Sequence, residues 1–167
     1  MKKTLFALVL ALGSLGLQAQ EIPQNALGLR LGDNDGFGGE ISYQRGLSGN
    51  NRLEFDLGWR DSKHYDAFKL VGLYQWVWNI EGGFNWYAGA GAGLGSYKLD
   101  HHHPHDFDHD HDDSGTFLLL AGDIGIEYIF DIPLQLSLDF RPEIYFGDDF
   151  RENDFGPDIA LGIRFTF

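Results

Sequence analysis

One stretch of the sequence is dense in side chains that bind metal ions. Residues Asp100 to Asp113 hold six of the seven histidines of the chain, and six aspartates stand between and beside them. Imidazole and carboxylate groups are ligands for Zn²⁺, Ni²⁺ and Cu²⁺. In an extended chain, the alternation His109-Asp110-His111 places both imidazoles on one side. The predicted metal ligands are His101, His102, His103, His105, Asp106, Asp108, His109, Asp110 and His111.

Two other interpretations of the same stretch stay open. It is also typical of a solvated, low-complexity loop, which binds transition metals only weakly because any histidine-rich peptide does so. Since histidine changes charge close to neutral pH, a pH-responsive contact is a further alternative. His64 could supply one more ligand from a neighbouring connection.

The composition excludes several classes of protein. The chain has no cysteine, so disulfide scaffolds, thiol nucleophiles and lipidated N-terminal cysteines are excluded. Residues 1–20 are predicted to be a secretory signal peptide, cleaved after Ala19 or Gln20, because Lys2-Lys3 precede an apolar run too short to span a bilayer. Without those two lysines, 10 basic residues face 25 acidic ones, a net charge of −15, which makes nucleic acid an improbable partner.

The elements that must hold the histidine-rich stretch are predicted to be β-strands. The last stretch alternates strictly, with Ile159, Leu161, Ile163, Phe165 and Phe167 on one face. A period of two indicates a strand. The predicted strands are Gln24–Gly32, Phe37–Arg45, Arg52–Arg60, Ala67–Trp78, Phe84–Tyr97, Thr116–Phe130, Leu134–Phe146 and Asp158–Phe167.

The connections between these strands predict a membrane barrel. Three short turns, near residues 47–51, 79–83 and 131–133, fall on the same side as both termini, and the longest connections fall on the other side. Short periplasmic turns and longer outer loops are typical of outer-membrane barrels. Aromatic residues are predicted at the two rims, namely Tyr43, Trp76, Trp78, Phe84, Trp86, Tyr128, Phe130, Phe165 and Phe167 at one and Phe37, Trp59, Phe68 and Phe146 at the other.

The face opposite the apolar one carries charges of both signs. The predicted inward charges are Arg30, Arg52, Arg60, Lys69, Arg141, Arg164, Glu40, Glu54, Asp56, Asp123, Glu127, Asp139, Glu143 and Asp158. Because a barrel of eight strands is only wide enough for its own side chains, these charges predict a packed ionic network and not an aqueous pore. Inward glycines in the fifth strand are expected either to make room for bulky neighbours in the lumen or to let the strand bend sharply.

The eight alternating strands and the terminal pattern ending at Phe167 resemble the small bacterial outer-membrane barrels, such as the OmpA transmembrane domain, OmpX and the opacity-type proteins. The resemblance implies an all-β fold over residues 21–167: an eight-stranded antiparallel transmembrane β-barrel, an up-and-down meander with periplasmic N- and C-termini. It also implies an outer-membrane location, contact with lipid and lipopolysaccharide, and recognition of the C-terminal strand by the barrel-assembly machinery. A monomeric, non-enzymatic surface protein with no required cofactor is expected.

Three alternatives to a metal-binding surface protein follow from this architecture. The first is a purely structural or adhesin-like barrel whose loops bind a surface partner. The second is an enzyme that modifies lipid A or phospholipid in the outer leaflet, with Ser62 and His64 or Ser114 and His111 as the reactive pairs. The third is a soluble barrel of the lipocalin type, which requires an apolar interior and a charged exterior.

Overall fold

The computed structural model describes residues 22–32, 38–62, 65–99, 114–147 and 155–167, and these form eight β-strands in a closed barrel. The strands are β1 (Asn25–Gly32), β2 (Glu40–Ser48), β3 (Asn51–Ser62), β4 (Tyr65–Glu81), β5 (Phe84–Leu99), β6 (Ser114–Ile129), β7 (Gln135–Gly147) and β8 (Phe155–Thr166). Each strand pairs antiparallel with the next, and β8 pairs with β1. The predicted up-and-down meander of eight strands is confirmed. The predicted signal peptide lies outside the described residues.

The alternation of the sequence becomes the two faces of the barrel wall. In β8 the side chains are exposed and buried in strict turn from Phe155 to Phe165. The strand register pairs outward residues with outward residues and inward residues with inward residues, as in Leu136↔Ile163 and Gln135↔Arg164 respectively. Since a slip of one residue would exchange the two faces, this pattern fixes the register of the whole wall.

The barrel closes where its two termini meet. Asn25 and Phe167 exchange both backbone hydrogen bonds, at 3.1 and 2.9 Å, and the Asn25 side chain accepts hydrogen bonds from Tyr43 and Arg45. We call this end of the barrel the termini end. The turns after β2, β4 and β6 lie at the same end, and Gly49 and Gly82 adopt the left-handed φ of 54° that tight hairpins require.

The opposite end, here called the loop end, differs from prediction between β3 and β4. A loop was expected from Asp61 to Asp66, but Asp61 pairs with Asp66 and Ser62 with Tyr65, so the strands continue to residues 62 and 65. Polar residues are compatible with strand structure here because strand pairing uses the backbone, whatever side chains it carries. Within the described residues, no helix is long and apolar enough to span a membrane.

Candidate functional site

The outer wall of the barrel is almost entirely apolar. Leu118, Ile159 and Leu161 are each more than 60% exposed, and every strand contributes large hydrophobic side chains of this kind. A soluble protein rarely exposes a continuous apolar surface of this extent. The exterior therefore fits hydrocarbon, and the arrangement is the reverse of the one that a lipocalin-type barrel requires.

Aromatic side chains concentrate near the ends of the wall. At the termini end the rings of Trp78 and Trp86 stack with centroids 4.3 Å apart, and Tyr128 contacts Phe130 edge-on at 4.7 Å. At the loop end Trp59 points outward. Aromatic side chains of this kind favour the boundary between lipid and water.

The interior is charged, as predicted. Of the 14 predicted inward charges, 13 are buried, and the side chain of Arg60 lies outside the description. The buried residues comprise eight carboxylates and five cations in the part of the chain that is described. Buried charges of this number require partners, because a charge that is removed from water without one is strongly unfavourable.

Toward the loop end, these charges form a network around Glu40. Its carboxylate pairs with Arg30 at 3.1 Å, Lys69 at 3.1 Å and Arg141 at 2.6 Å. Arg30 also pairs with Asp139 and Asp158. The network thus joins β1, β2, β4, β7 and β8 across the lumen.

A second network lies nearer the termini end and centres on Glu54. Arg164 donates to Glu54 at 2.8 Å and to the Ser42 and Ser137 hydroxyls, while Gln44 donates to Glu54 at 2.6 Å. Arg52 pairs with Glu127 at 2.6 Å, and its guanidinium lies 4.7 Å from the centre of the Tyr87 ring. These contacts bind β2, β3, β6, β7 and β8 to one another.

An apolar cluster completes the filling of the lumen, and sequence reasoning did not identify it. It consists of Val71, Leu73, Phe117, Leu119, Ala121 and Tyr145. These side chains cover two glycines of β5, since a Cβ at Gly93 would lie 3.1 Å from both Leu119 and Val71, and one at Gly95 would meet the Phe117 ring. The expectation that inward glycines admit bulky neighbours is confirmed. The signal was available in the sequence, because Phe117 and Leu119 share the inward parity of Asp123.

The lumen therefore combines two ionic networks with an apolar cluster. Tyr145 connects them, since its ring lies 5.5 Å from that of Phe117 and its hydroxyl donates to Glu143. Glu143 in turn pairs with Lys69 at 3.2 Å. The described side chains of the lumen are thus engaged with one another, which leaves the outer surface and the connections as candidate binding regions.

The predicted metal-ligating residues from His101 to His111 lie outside the described residues, as does His64. The structure places the two ends of their segment: Lys98, two residues before Asp100, pairs in the β5–β6 ladder with Ser114, which directly follows Asp113. Among the residues that are described, no group of three or more His, Asp or Glu side chains is placed to hold a metal ion.

The two candidate catalytic pairs are placed only in part. Ser62 ends β3 and Ser114 begins β6, both at the loop end, and the Ser114 side chain is exposed. Their predicted partners, His64 and His111, lie outside the described residues. The enzyme alternative stays a prediction.

Comparison with known proteins gives the fold. No protein-family model and no curated protein matches the sequence. Among solved structures, the barrel is similar to Neisserial surface protein A (13% identity, 86% of this chain and 94% of that one, TM-score 0.61). It is also similar to the N-terminal barrel of Pseudomonas aeruginosa OprF, with 13% identity over 86% of this chain and 100% of that one and a TM-score of 0.57. A third similar structure is the attachment invasion locus protein Ail of Yersinia pestis, with 14% identity over 87% of this chain and 100% of that one and a TM-score of 0.54.

This chain has the fold of the small outer-membrane β-barrels. The likeness extends along nearly the full length of each matched barrel, and it agrees with the apolar exterior described above. At 13–14% identity the comparison carries the fold alone. Function in this outer-membrane-type barrel must therefore be argued from its own residues.

Proposed function

We propose that this protein is a small surface barrel of the outer membrane whose histidine-rich segment, residues 100–113, binds a divalent transition metal on the extracellular side. The observation that carries the proposal is the β5–β6 ladder, which runs to Lys98↔Ser114 and so anchors both ends of the segment on one rigid hairpin. The ligands would be the histidines and aspartates from His101 to His111, and Zn²⁺, Ni²⁺ and Cu²⁺ match their chemistry.

The filled barrel favours metal binding by bringing the ends of the segment together. Residues paired across an antiparallel ladder have Cα atoms about 4.5–5.5 Å apart. The entropic cost of closing the 14-residue segment is therefore met when the barrel folds and does not weaken metal affinity. Chelation has only to order the segment itself.

The orientation in the membrane belongs to the same proposal. The three short turns lie at the termini end. Of the four connections at the loop end, three have seven, fourteen and seven residues, at 33–39, 100–113 and 148–154, and the fourth, at 63–64, has two. Short turns on the periplasmic side and long loops outside are the rule for such barrels. We accordingly place both termini in the periplasm after removal of residues 1–20. The last strand, which ends at Phe167, is then available to the barrel-assembly machinery. Lipopolysaccharide surrounds the barrel, which is a monomer.

Calorimetric titration with Zn²⁺ and Ni²⁺ tests the proposal on the refolded barrel. Three variants provide the comparison: replacement of residues 100–113 by a short turn, six His→Asn changes within the segment, and His64→Asn, which tests the additional ligand from the neighbouring connection. We expect micromolar or tighter binding with a defined stoichiometry, lost in the first two variants and weakened in the third only if His64 is a ligand. Weak, non-saturating heat in the unmodified barrel would refute a metal site and leave the structural or adhesin-like alternative.

A further inference from the structure

The hydrogen-bond ladder between β6 and β7 is interrupted near the middle of both strands. The register is the same on either side of the interruption, yet the pairs Gly122↔Pro142 and Asp123↔Arg141 that it predicts do not form, although the structure describes all four residues. Pro142 explains the gap, because its backbone nitrogen carries no hydrogen and cannot donate to a ladder. The interruption therefore comes from one missing donor and not from a shift of the strands.

The missing donor leaves one backbone carbonyl of β6 without its ladder partner. Phe130, at the end of β6, donates to the Leu134 carbonyl, next to the start of β7. Backbone groups of successive residues in a strand point to opposite neighbours, so the even-numbered residues of β6 point theirs toward β7. Gly122 is one of these, and its carbonyl is the acceptor that an N–H at position 142 would satisfy. An unsatisfied carbonyl at membrane depth is strongly unfavourable.

A carboxylate without a cation lies on the lumen side of the same interruption. Asp123 is 7% exposed and accepts a hydrogen bond from the Gln75 amide. Among the described residues it forms no ion pair, whereas each of the other seven buried carboxylates of the lumen does. Arg141, which is opposite Asp123 in register, is paired with carboxylates of other strands. A buried charge of this kind requires a counter-charge.

A second free acceptor lies beside Asp123. Asp139 is its diagonal neighbour on the lumen face, because Gly125 is opposite Asp139 in the ladder. The Cα atoms of such diagonal neighbours are about 7–8 Å apart, and their side chains can meet. Arg30 binds Oδ1 of Asp139, but Oδ2 has no hydrogen-bond partner among the described residues, although Asp139 is only 4% exposed.

We propose that the lumen binds one monovalent hard cation, Na⁺ in chemical class, between the Asp123 and Asp139 carboxylates and the Gly122 carbonyl. Carbonyl groups of irregular backbone bind such cations at membrane depth. The charge of the lumen favours the same occupant, because eight carboxylates and five cations are buried in its described part, a formal excess of three negative charges.

The ligand set favours a monovalent ion over a divalent one. Ca²⁺ takes about six to eight oxygen ligands, several of them usually carboxylates. In the part of the chain that is described, no third Asp, Glu or His side chain joins these two to form a metal-binding group. Without an imidazole, the set is also a poor match for transition metals. The inference therefore does not depend on metal binding by the histidine-rich segment.

Urea unfolding of the mature barrel in lipid vesicles tests the proposal. The closed lumen does not prevent the measurement, because the ion exchanges whenever the barrel unfolds. NaCl is replaced stepwise by choline chloride at constant ionic strength, with a sodium-free chelator present to keep transition metals off the histidine-rich segment. We expect the folding equilibrium constant to rise about tenfold for each tenfold increase of Na⁺ above the dissociation constant.

Two variants that remove a charge locate the ion. Asp123→Asn keeps an acceptor for the Gln75 amide but loses the negative charge, and it should abolish the Na⁺ dependence. Glu127→Gln is the matched control, because Glu127 is buried on the same strand and already pairs with Arg52. It should lower the stability of the barrel but keep the Na⁺ dependence.

Two proline variants test the carbonyl ligand. Pro142→Ala supplies the donor that the Gly122 carbonyl lacks, so the Na⁺ dependence should begin at higher concentration. Pro157→Ala is the matched control: Pro157 is opposite Pro142 on β8, but odd-numbered residues of β8 point their backbone groups toward β1, as Phe167 does. It should leave the Na⁺ dependence unchanged. Because both proline variants retain every charge, they keep the test valid if Asp123→Asn does not fold.

Four results would overturn the proposal. Equal unfolding in NaCl and choline chloride would mean that Asp123 needs no cation, as when it carries a proton. A Na⁺ dependence that persists in Asp123→Asn would place the ion elsewhere. Its loss on replacement of residues 100–113 by a short turn would place the ion at the histidine-rich segment. An unchanged dependence in Pro142→Ala would remove the Gly122 carbonyl from the ligand set and refute the geometry.

Discussion

At the scale of single residues, Arg141 shows how a charged interior is stabilised. It is fully buried, and its guanidinium approaches Glu40 at 2.6 Å, Asp56 at 2.8 Å, Glu143 at 2.9 Å and Asp158 at 3.8 Å. Carboxylates already outnumber cations in the described part of the lumen. The loss of this one cation would leave several carboxylates undercompensated.

We predict that Arg141→Gln lowers the free energy of unfolding by about 3–5 kcal/mol, the usual cost of removing one partner from a buried ion pair. Arg45→Gln is the matched control, because Arg45 is exposed at the barrel rim and donates to Asn25. It should cost no more than about 1 kcal/mol. Urea unfolding of both variants in lipid vesicles measures the difference, and equal losses would refute the importance of the interior network.

Glycine provides a second test at this scale. A Cβ at Gly125 would lie 2.5 Å from the Tyr87 ring and 2.8 Å from the Leu138 carbonyl oxygen, whereas one at Gly72 would be in ordinary contact, 3.5 Å from Phe55. Gly125→Ala should therefore destabilise the barrel by about 1–3 kcal/mol, as overpacking does. Gly72→Ala should be close to neutral in the same assay. Equal stability of the two variants would contradict close packing of Tyr87 on β6.

At the scale of elements, strict alternation made most of the strands predictable. In β8 the two faces are unambiguous in the sequence, and the structure confirms both. The β3–β4 connection was predicted too long because Asp61 and Asp66 resemble loop residues, although backbone pairing continues through them. Contacts across the lumen, such as that of Arg141 on β7 with Glu40 on β2, depend on barrel closure and could not be read from any single strand.

The β5–β6 hairpin yields a prediction of its own. Because the ladder is complete to Lys98↔Ser114, replacement of residues 100–113 by a turn of four residues should leave the barrel folded. The shorter connection should raise the free energy of unfolding by about 1 kcal/mol, since closing a shorter loop costs less entropy. Denaturant titration checks this. A marked loss of stability would show that the segment packs against the barrel.

At the scale of the whole molecule, charge inside and hydrocarbon outside is the organising feature. The loss of unfolding free energy that a charged substitution causes should therefore depend on how deep in the membrane the substituted residue lies. We predict that Leu161→Arg, in the middle of β8, destabilises the barrel in vesicles by about 2–4 kcal/mol, and that Ile132→Arg, in the turn before β7, costs about 0–1 kcal/mol. Both side chains are exposed and apolar, which makes the pair matched. Equal effects would contradict the membrane-spanning wall.

The central claim is that this outer-membrane-type barrel is a filled scaffold. Glu40 and Glu54 each join several strands across the lumen, and the cluster of Phe117, Leu119 and Tyr145 occupies the remaining side. Current recorded across a planar lipid bilayer that contains the refolded protein tests this claim most directly. The account predicts no stepwise conductance above the background of the protein-free membrane. Regular, reproducible current steps would contradict it, because they require a continuous aqueous path through the barrel.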